Sequence, residues 1–260
     1  MDISKLTISQ IKKIADSPAG AGLAFRLALS EDSRVGVREI YRKLLHNENV
    51  MEREMKRLAK MFLYEKDLKA RGRHPVAGVD EAGRGPLAGP VVAAAVILPD
   101  SALLVNLNDS KKLAPTKREY LAGQIERTAL AWSIGVSSVE EIFSENIHQA
   151  GLKAMRRAVA GLAVKPAHVL VDGFKIDRLA YPQTPIIAGD GLSASIAAAS
   201  ILAKVIRDRL MNSYHKLYPQ YGFDRHKGYG TAEHLQALSA YGPCPIHRTG
   251  YRPVQECLQR

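Results

Sequence analysis

The sequence predicts an α/β domain preceded by a small all-helical domain, and two observations predict it. Apolar residues in positions 1–72 recur at helical spacing without a convincing strand, whereas positions 73–260 alternate short apolar runs with helix-forming stretches. Gly72 lies between the two patterns, so we place the joint of the domains there. At 260 residues and 46% hydrophobic content, the chain is long enough for one substantial domain and a smaller one.

The N-terminal domain is predicted to contain three or four short helices. Met51, Met55 and Leu58, for example, are spaced along one helical face. Turn-forming residues interrupt the helical pattern at Ser17 to Gly22, Ser30 to Ser33 and His46 to Asn49.

The second domain begins with a hairpin and continues as alternating strands and helices. The predicted strands are Val76 to Ala82, Val91 to Leu98, Ala131 to Ser137, Val169 to Val171 and Pro185 to Ala188. The predicted helices run from Pro115 to about Leu130, from the capping-box pair Ser138 and Glu141 onward, from His148 to Leu162, from Ser193 to about Leu217 and from Thr231 to Tyr241. The two shortest strands lead into Asp172 and Asp190. Because α/β sheets usually present a site at the ends of their strands, these acids are candidate site residues.

Asp80 and Glu81 form the most informative pair in the chain. They lie between the apolar residues of the first strand and a glycine-rich turn. Neighbouring side chains of a regular strand point to opposite faces, so both acids can serve one site only where the strand ends or bends. Two adjacent carboxylates repel each other, and a divalent metal would stabilise both in the charged form. The pair therefore predicts a metal site, with a solvated surface turn as the alternative.

Gly83, Gly85 and Ala88 also satisfy the loose pattern of a dinucleotide-binding turn. Such a turn requires a helix to open directly after it, with its N-terminus on the pyrophosphate. Pro86, Pro90 and the β-prone run that follows leave no helix there. Dinucleotide binding is therefore rejected.

Asp172 and Asp190 extend the carboxylate pair to a set of four. Each follows a short apolar strand and adjoins a glycine, so either one alone would be interpreted as a turn-forming aspartate. Together with Asp80 and Glu81 they offer four oxygen donors, which suit magnesium or manganese and are a poor match for zinc or copper. The set is typical of a two-metal nuclease.

Composition narrows the class of protein further. The formal net charge of +11 and the pI near 9.6 favour an acidic polymer as partner, nucleic acid first. Cys244 and Cys257 provide no disulfide framework, and Cys244 with His247 supplies only two of the ligands of a zinc site. No apolar run approaches the length of about 20 residues that spans a bilayer, and no signal peptide is recognisable. We therefore expect a cytoplasmic protein with no membrane partner.

Several separated motifs resemble one known family. They are Gly-Val-Asp-Glu-Ala-Gly-Arg-Gly-Pro at 78–86, Asn-Asp-Ser-Lys-Lys-Leu at 108–113, Val-Asp-Gly at 171–173, Gly-Asp at 189–190, the helix around 197–204, Pro-Gln-Tyr-Gly-Phe at 219–223 and His-Lys-Gly-Tyr at 226–229. In this order they resemble the bacterial ribonuclease HII family, in its subgroup with a helical N-terminal extension. The resemblance covers about residues 73–254. It implies a ribonuclease H-like fold, which is a mixed central sheet flanked by helices.

The resemblance implies an endonuclease that hydrolyses the RNA strand of RNA–DNA hybrids. It also implies cutting on the 5′ side of single ribonucleotides embedded in duplex DNA, which leaves 3′-hydroxyl and 5′-phosphate ends. The catalytic residues and metal ligands that the motifs imply are Asp80, Glu81, Asp172 and Asp190, with Asp80 bridging two Mn²⁺ or Mg²⁺ ions. Asp208 is the alternative fourth ligand, and Asp190 is preferred because it matches the motif.

The same resemblance implies which residues read the substrate. The turn Gly83-Arg84-Gly85 and Tyr229 would recognise the RNA–DNA junction. Two glycines let the backbone approach a ribose closely, and an arginine can pair with the adjacent phosphate. For Tyr229 the alternative is an ordinary half-buried tyrosine.

Asn108, Ser110, Lys111 and Lys112 would contact backbone phosphates, which positions a substrate without reading its sequence. Lys112 has the alternative of a solvated loop. The expected partners are an RNA–DNA hybrid and a DNA duplex with an embedded ribonucleotide, bound by a monomer. For the N-terminal extension the sequence leaves three roles open, which are added grip on the duplex, docking of a partner and stabilisation.

Two other classes of function stay open from the sequence. One is a related two-metal nuclease, either a type III ribonuclease H or a DNA nuclease of the same superfamily. The Gly-Arg-Gly turn favours type II over type III, and cleavage of all-DNA duplex would favour the DNA nuclease. The other class is a non-catalytic nucleic-acid-binding protein, which the net charge alone suggests and which leaves the four acids unexplained.

Overall fold

The chain folds into two compact units, Met1–Arg57 and Leu58–Arg260, in a computed structural model that describes residues 2–17 and 22–259. The division falls earlier in the chain than the joint that the sequence places at Gly72. The reason is that three apolar side chains that precede this glycine are buried in the core of the second unit. They are Leu58, Met61 and Phe62.

The first unit contains two short helices and most of a long one. α1 is Ile8–Ala15, α2 is Leu23–Glu31 and α3 is Val35–Met61. α1 begins with a capping box, in which the Thr7 side chain accepts from the backbone N–H of Gln10. The apolar faces of the helices meet in a small core, whose buried members are Ile3, Ile11, Phe25, Leu29 and Val37.

The predicted break at Ser30 to Ser33 is confirmed, whereas the predicted break at His46 to Asn49 is wrong. α3 runs through the latter residues without interruption. After Gly36 this helix contains neither glycine nor proline. Histidine and asparagine cost a helix only up to about 0.7 kcal/mol each relative to alanine, which is too little to end so long a helix. The predicted break at Ser17 to Gly22 falls on residues 18–21, outside the described residues.

The second unit is built on a five-stranded mixed sheet. Its strands are β1 Val76–Ala82, β2 Val91–Ile97, β3 Ala131–Ser137, β4 His168–Asp172 and β5 Gln183–Ile186. They are ordered β3-β2-β1-β4-β5. β1 pairs antiparallel with β2, as does β2 with β3, whereas β4 pairs in parallel with both β1 and β5. The predicted mixed sheet is therefore confirmed.

The sheet of this unit has helices on both of its faces, and further helices follow towards the C-terminus. The helices are α4 Leu63–Ala70, α5 Pro115–Thr128, α6 Val139–Glu145, α7 Ile147–Ala160, α8 Ala194–Leu217, α9 Phe223–His226, α10 Ala232–Tyr241 and α11 Arg252–Leu258. The sequence does not predict α9 and α11, because such short segments carry little periodicity. Among the described residues, none of the helices combines the length and the apolar character needed to cross a membrane.

Alternate side chains of β2 pack into two different hydrophobic cores. Ala94 and Val96 pack with residues of α5 and α8 on one face of the sheet. Ala93 and Ala95 pack with residues of α7 on the other face. The strand is therefore buried on both sides, which explains its continuous apolar sequence.

α8 lies directly on β1, and a glycine makes this contact possible. A Cβ atom on Gly78 would come within 2.1 Å of the carbonyl carbon of Ser195. The start of α8 is fixed by capping, because the Ser193 hydroxyl accepts from the backbone N–H of Ile196 and donates to Glu65 Oε1 at 2.6 Å. α8 therefore holds a fixed place beside the strand that carries the first two acids.

β5 begins and ends earlier than the sequence predicts. Its pairing with β4 ends at Ile186. Ala188 then adopts a left-handed conformation with φ of 54°, and Gly189–Gly191 forms a 3-10 turn. The prediction that a strand over Pro185 to Ala188 ends at Asp190 is wrong, because Asp190 lies on this turn.

Candidate active site

The carboxylates of Asp80 and Glu81 lie near the end of β1. Asp80 is 4% exposed, and its Oδ1 accepts from the backbone N–H of Glu81 at 2.6 Å. Asp80 borders a cleft beside α8, and Glu81 borders both this cleft and a second cavity beside α7. The two acids thus serve adjoining spaces at the strand end, where Gly83 turns the chain with φ of 97°.

Asp172 lies beside Asp80 because of the parallel register between β4 and β1. Val171 pairs with Val79, so the residue that follows each of them reaches the same edge of the sheet. Asp172 Oδ1 accepts from the backbone N–H of Gly189 at 2.7 Å, which ties the end of β4 to the 3-10 turn after β5. Three of the four predicted acids therefore share one edge.

Asp190 is buried on the 3-10 turn and faces the loop before α5. Lys111 Nζ lies 3.6 Å from Asp190 Oδ2, and the carboxylate of Asp109 is close enough to raise the pKa of Asp190. Asp109 is a fifth acid, to which the sequence assigns no role because it lies in the motif of the phosphate contacts. The turn brings the fourth predicted acid next to a basic residue that borders the cleft.

Burial and mutual repulsion raise the pKa values of these acids. The pKa of Asp80 is raised well above its ordinary value, by burial first and then by Glu81 and Asp172. The pKa of Glu81 is raised by burial and by Asp172, against the lowering effect of Arg84. The pKa of Asp190 is raised by burial and by neighbouring carboxylates. A divalent cation would relieve this repulsion and keep the acids charged.

The donor set fits a hard divalent cation in its chemistry. All four predicted ligands are carboxylates, which Mg²⁺ and Mn²⁺ accept readily. As they stand, no three His, Cys, Asp or Glu side chains in residues 2–17 and 22–259 are arranged to hold a metal ion. The fit to Mg²⁺ or Mn²⁺ therefore rests on three properties of the acids around one cleft, which are their oxygen ligands, their burial and their mutual repulsion. The acids do not form a closed set of metal ligands.

Asp208, the alternative fourth ligand, is engaged on α8. Its Oδ1 accepts from Lys204 Nζ at 2.7 Å, and its Oδ2 lies 3.9 Å from Arg118 Nη2. A carboxylate that already pairs with two cations has less need of a metal than one among like charges. This pairing favours Asp190 as the fourth acid of the site.

One cleft gathers most of the predicted site residues. It has a volume of about 280 Å³, and the described residues that line it are Asp80, Glu81, Ala82, Gly83, Arg84, Gly85, Ser110, Lys111, Asp172, Ser200, Lys204 and Tyr229. Asp190 does not line the cleft, but its carboxylate lies beside Lys111, which does. Asn108 also lies outside this lining, and its Oδ1 accepts from the backbone N–H of Asp109 at 2.9 Å. Asn108 therefore shapes the loop that carries Lys111.

Ser200 and Lys204 of α8 are cleft residues to which the sequence assigns no role. The Ser200 hydroxyl lies 2.9 Å from the Ser110 hydroxyl, and its side chain is also a hydrogen-bond partner of Asp80. Lys204 Nζ lies 5.9 Å from the centre of the Tyr229 ring. The signal that could have found them is their spacing of four residues, which puts both on one side of a helix beside the acids.

The Gly83-Arg84-Gly85 turn meets Tyr229 in this cleft. A Cβ atom on Gly83 would lie 2.0 Å from Arg207 Nε, so no side chain fits there. A Cβ atom on Gly85 would lie 3.7 Å from a ring carbon of Tyr229, which is 45% exposed. The turn therefore places the exposed tyrosine next to the strand end that carries the acids.

Comparison with known proteins identifies the family. The family model for ribonuclease HII matches residues 77–254, and the model for the ribonuclease HII N-terminal domain matches residues 7–69. The chain belongs to the ribonuclease HII family. A ribonuclease HII of Pelotomaculum thermopropionicum is 63% identical over 260 residues, which cover 99% of this chain and 98% of that protein. The two family models leave Gly72 between them.

Ribonucleases HII are type II ribonucleases H, and they are metal-dependent enzymes that cleave RNA in RNA–DNA hybrids. Membership confirms the enzyme class that the motifs predict. The alternative of a non-catalytic nucleic-acid-binding protein, which rested on net charge alone, is wrong.

Solved structures confirm the ribonuclease H-like fold. Ribonuclease H2 from Pyrococcus horikoshii OT3 superposes with a TM-score of 0.61 at 27% identity, over 71% of this chain and 97% of that chain. A ribonuclease HIII, Bst-RNase HIII solved in complex with Mn²⁺, superposes with a TM-score of 0.58 at 17% identity, over 71% of this chain and 69% of that chain. The similarity to Bst-RNase HIII supports the fold alone.

Proposed function

We propose that this member of the ribonuclease HII family hydrolyses the RNA strand of hybrids and also cuts duplex DNA on the 5′ side of a single embedded ribonucleotide. The cut leaves 3′-hydroxyl and 5′-phosphate ends. The observation that carries the proposal is the continuity of β1 with the recognition turn, Gly83-Arg84-Gly85. Only Glu81 and Ala82 separate Asp80 from Gly83. The turn that senses a 2′-hydroxyl is therefore held at a fixed position relative to the acids, which act on the adjacent phosphodiester bond.

Asp80, Glu81, Asp172 and Asp190 are the four acids that would hold two Mn²⁺ or Mg²⁺ ions. When bound, they would supply activation of the attacking water and stabilisation of charge on the departing 3′ oxygen. The task of the protein is then to hold charged oxygens at one edge of the sheet. Burial and the raised pKa of Asp80 support this assignment, because both make the charged carboxylates depend on a bound cation.

Discrimination between RNA and DNA depends on the 2′-hydroxyl, which is the group that distinguishes the two sugars. We assign this task to the recognition turn. Its glycines let the backbone approach the ribose, and Tyr229 beside Gly85 packs against the adjoining sugar. Arg84 Nη1 lies 3.3 Å from Glu81 Oε1, from where it can pair with a phosphate next to the acids.

Basic residues of the cleft position the phosphate backbone. The Lys111 side chain is 80% exposed beside Asp190, and Lys204 lies beside Tyr229, which adjoins the recognition turn. Ser110 is buried and its hydroxyl contacts Ser200, so we assign it to holding the loop of Lys111 in place. These contacts carry no sequence information, as a nuclease that reads sugars requires.

The substrate range tests the proposal. Three labelled duplexes of one length are compared, which contain no ribonucleotide, one ribonucleotide or a continuous RNA strand, each with Mg²⁺, with Mn²⁺ and with a chelator. Metal-dependent cleavage of the second and third duplexes, with the all-DNA duplex intact, is the expected result. Cleavage of the continuous hybrid alone would favour the specificity of a type III enzyme. Cleavage of the all-DNA duplex would favour a DNA nuclease.

A further inference from the structure

Arg248 is a buried cation whose hydrogen-bond acceptors include three backbone carbonyl groups of the loop after β1. It is 1% exposed. Its Nη1 donates to the carbonyl of Arg84 at 2.8 Å, its Nη2 to the carbonyl of Gly83, and its Nε to the carbonyl of Gly89 at 2.9 Å. A guanidinium taken out of water needs such partners, because an unpaired buried charge is strongly unfavourable. The side chain and the carbonyls therefore fix each other.

Tyr251 completes this contact. Its hydroxyl donates to the carbonyl of Arg84 at 2.9 Å and accepts from Arg248 Nη1 at 3.2 Å. The Arg248 guanidinium also lies 5.4 Å from the centre of the Tyr251 ring. The carbonyl of Arg84 is thus held by two donors from one C-terminal segment, residues 248–251.

These hydrogen bonds fix the orientation of the peptide groups in the recognition turn. In a planar trans peptide, the N–H of a residue points opposite to the carbonyl of the residue before it. The carbonyls of Gly83 and Arg84 point inward to Arg248, so the N–H groups of Arg84 and Gly85 point away from it. Arg84 and Gly85 also line the cleft of the acids.

We propose that Arg248 and Tyr251 are positioning residues, which present the backbone amides of Arg84 and Gly85 to the 2′-hydroxyl and the adjoining phosphate of a ribonucleotide. The inference rests on the proposed recognition of the junction by this turn. It adds that the specificity of the enzyme depends on the C-terminal segment, to which the sequence motifs assign no role.

The test uses two variants of the full chain and one matched control. Tyr251→Phe removes one hydroxyl that donates to the recognition turn, and Arg248→Lys keeps the charge but loses the fork of donors. Tyr221→Phe is the control, because the Tyr221 hydroxyl also donates to a backbone carbonyl, that of Gly242 at 2.7 Å, away from the turn. For each protein, kcat and KM are measured on the single-ribonucleotide duplex and on a continuous hybrid, together with the midpoint of thermal unfolding.

The expected result concerns one ratio, which is kcat/KM on the single-ribonucleotide duplex divided by kcat/KM on the continuous hybrid. Loss of one hydrogen bond to the turn lowers this ratio about threefold to tenfold in Tyr251→Phe, and Arg248→Lys lowers it further. The single ribonucleotide suffers more, since a continuous RNA strand offers a 2′-hydroxyl at every position. Tyr221→Phe keeps the wild-type ratio, which separates positioning from a general loss of stability.

Two outcomes would overturn the inference. One is a wild-type ratio in Tyr251→Phe, which decides the matter even where Arg248→Lys does not fold. The other is an equal fall of the ratio in Tyr221→Phe. A wild-type enzyme that leaves the single-ribonucleotide duplex uncut would instead overturn the proposed function, and this is established before any variant is compared.

Discussion

The hydroxyls of Ser110 and Ser200 lie 2.9 Å apart in a buried hydrogen bond. The bond joins the loop of Lys111 to α8, and the Ser200 side chain is at the same time a partner of Asp80. A basic loop, a helix and the first acid of the site are therefore linked through two small side chains. The link explains how residues that are far apart in sequence keep a fixed place around the cleft.

A double-mutant cycle measures this link. Ser200→Ala leaves the buried Ser110 hydroxyl without its partner and lowers the free energy of unfolding by about 1–3 kcal/mol. Ser110→Ala leaves the Ser200 hydroxyl its contact with Asp80, so we expect the smaller loss of about 1 kcal/mol. The double variant loses less than the sum, by a coupling energy of about 1 kcal/mol. Denaturant unfolding of the four proteins checks the prediction, and strictly additive losses would contradict it.

The fourth acid is tested by the same substitution at two positions. Asp190→Asn removes a charged oxygen from the carboxylate cluster, and we expect kcat to fall on the order of 100-fold or more with little change in folding. Asp208→Asn breaks pairs with Lys204 and Arg118 on α8, and we expect kcat to stay within about tenfold of wild type and stability to fall by up to about 1 kcal/mol. Single-turnover cleavage with Mn²⁺ and circular dichroism provide the measurements. The reverse ranking of the two variants would make Asp208 the ligand.

Gly83 is expected to tolerate no side chain. Gly83→Ala adds strain at φ of 97° and a clash with the Arg207 side chain, so both activity and stability should fall. Gly72→Ala is the control, because Gly72 also has a positive φ, of 71°, but a Cβ atom there meets nothing within 4 Å. Backbone strain alone costs about 1–3 kcal/mol. Thermal unfolding of both variants separates the two effects, and equal losses would show that the contact with Arg207 carries no cost.

Three histidines behind Tyr229 form a network that fixes their protonation. His234 Nδ1 lies 2.9 Å from the carbonyl of Tyr229, so this nitrogen carries the proton. His234 Nε2 then accepts from His247 Nε2 at 3.0 Å, and His247 Nδ1 accepts from the backbone N–H of Cys244 at 2.9 Å. His226 stacks on His234 with ring centres 4.5 Å apart. The network is satisfied only while all of these rings are neutral.

Burial and the neighbouring His234 lower the pKa of His247 to about 4. From pH 6.5 down to about 4 the unfolded chain binds a proton that the folded chain does not, so this histidine lowers the free energy of unfolding as the pH falls. The loss is at most about 3.5 kcal/mol, since one pKa unit corresponds to about 1.4 kcal/mol. The raised pKa values of Asp80, Glu81 and Asp190 act in the opposite direction.

Because these contributions oppose each other, titration of the ring resonances by NMR is the direct measurement for His247. We expect its midpoint near pH 4, as its pKa indicates. An ordinary midpoint would show that the ring is not held neutral by the network.

Local sequence predicts much of this fold, because strong apolar patterns bounded by turn residues determine single elements. β1 and β3 have the predicted bounds, and α8 and α10 each begin directly after the predicted start, since Ser193 and Thr231 are capping residues. Local sequence also singles out Asp80 and Glu81 as candidate site residues, because two charges beside a buried strand are costly. These features each depend on fewer than about ten neighbouring residues.

The features that the sequence does not predict depend on pairing between distant segments. The position of Asp190 follows from where the register of β5 with β4 ends, which no local pattern indicates. The role of Ser200 depends on contact with Ser110, and that of Arg248 on contact with the turn after β1. The predicted break inside α3 failed for the opposite reason, because weak local signals were overridden by a long run of helix-forming residues.

The position and the chemistry of the cut are the sharpest test of the proposed reaction. A duplex with one ribonucleotide, labelled in turn at each end, is cleaved with Mg²⁺ or Mn²⁺ by wild type and by Asp80→Asn, and the products are resolved to one nucleotide. We predict one metal-dependent cut on the 5′ side of the ribonucleotide, with 3′-hydroxyl and 5′-phosphate ends, and no cut by the folded Asp80→Asn variant. A cut on the 3′ side that leaves a 2′,3′-cyclic phosphate would contradict it, because the ribonucleotide's own hydroxyl would then be the nucleophile.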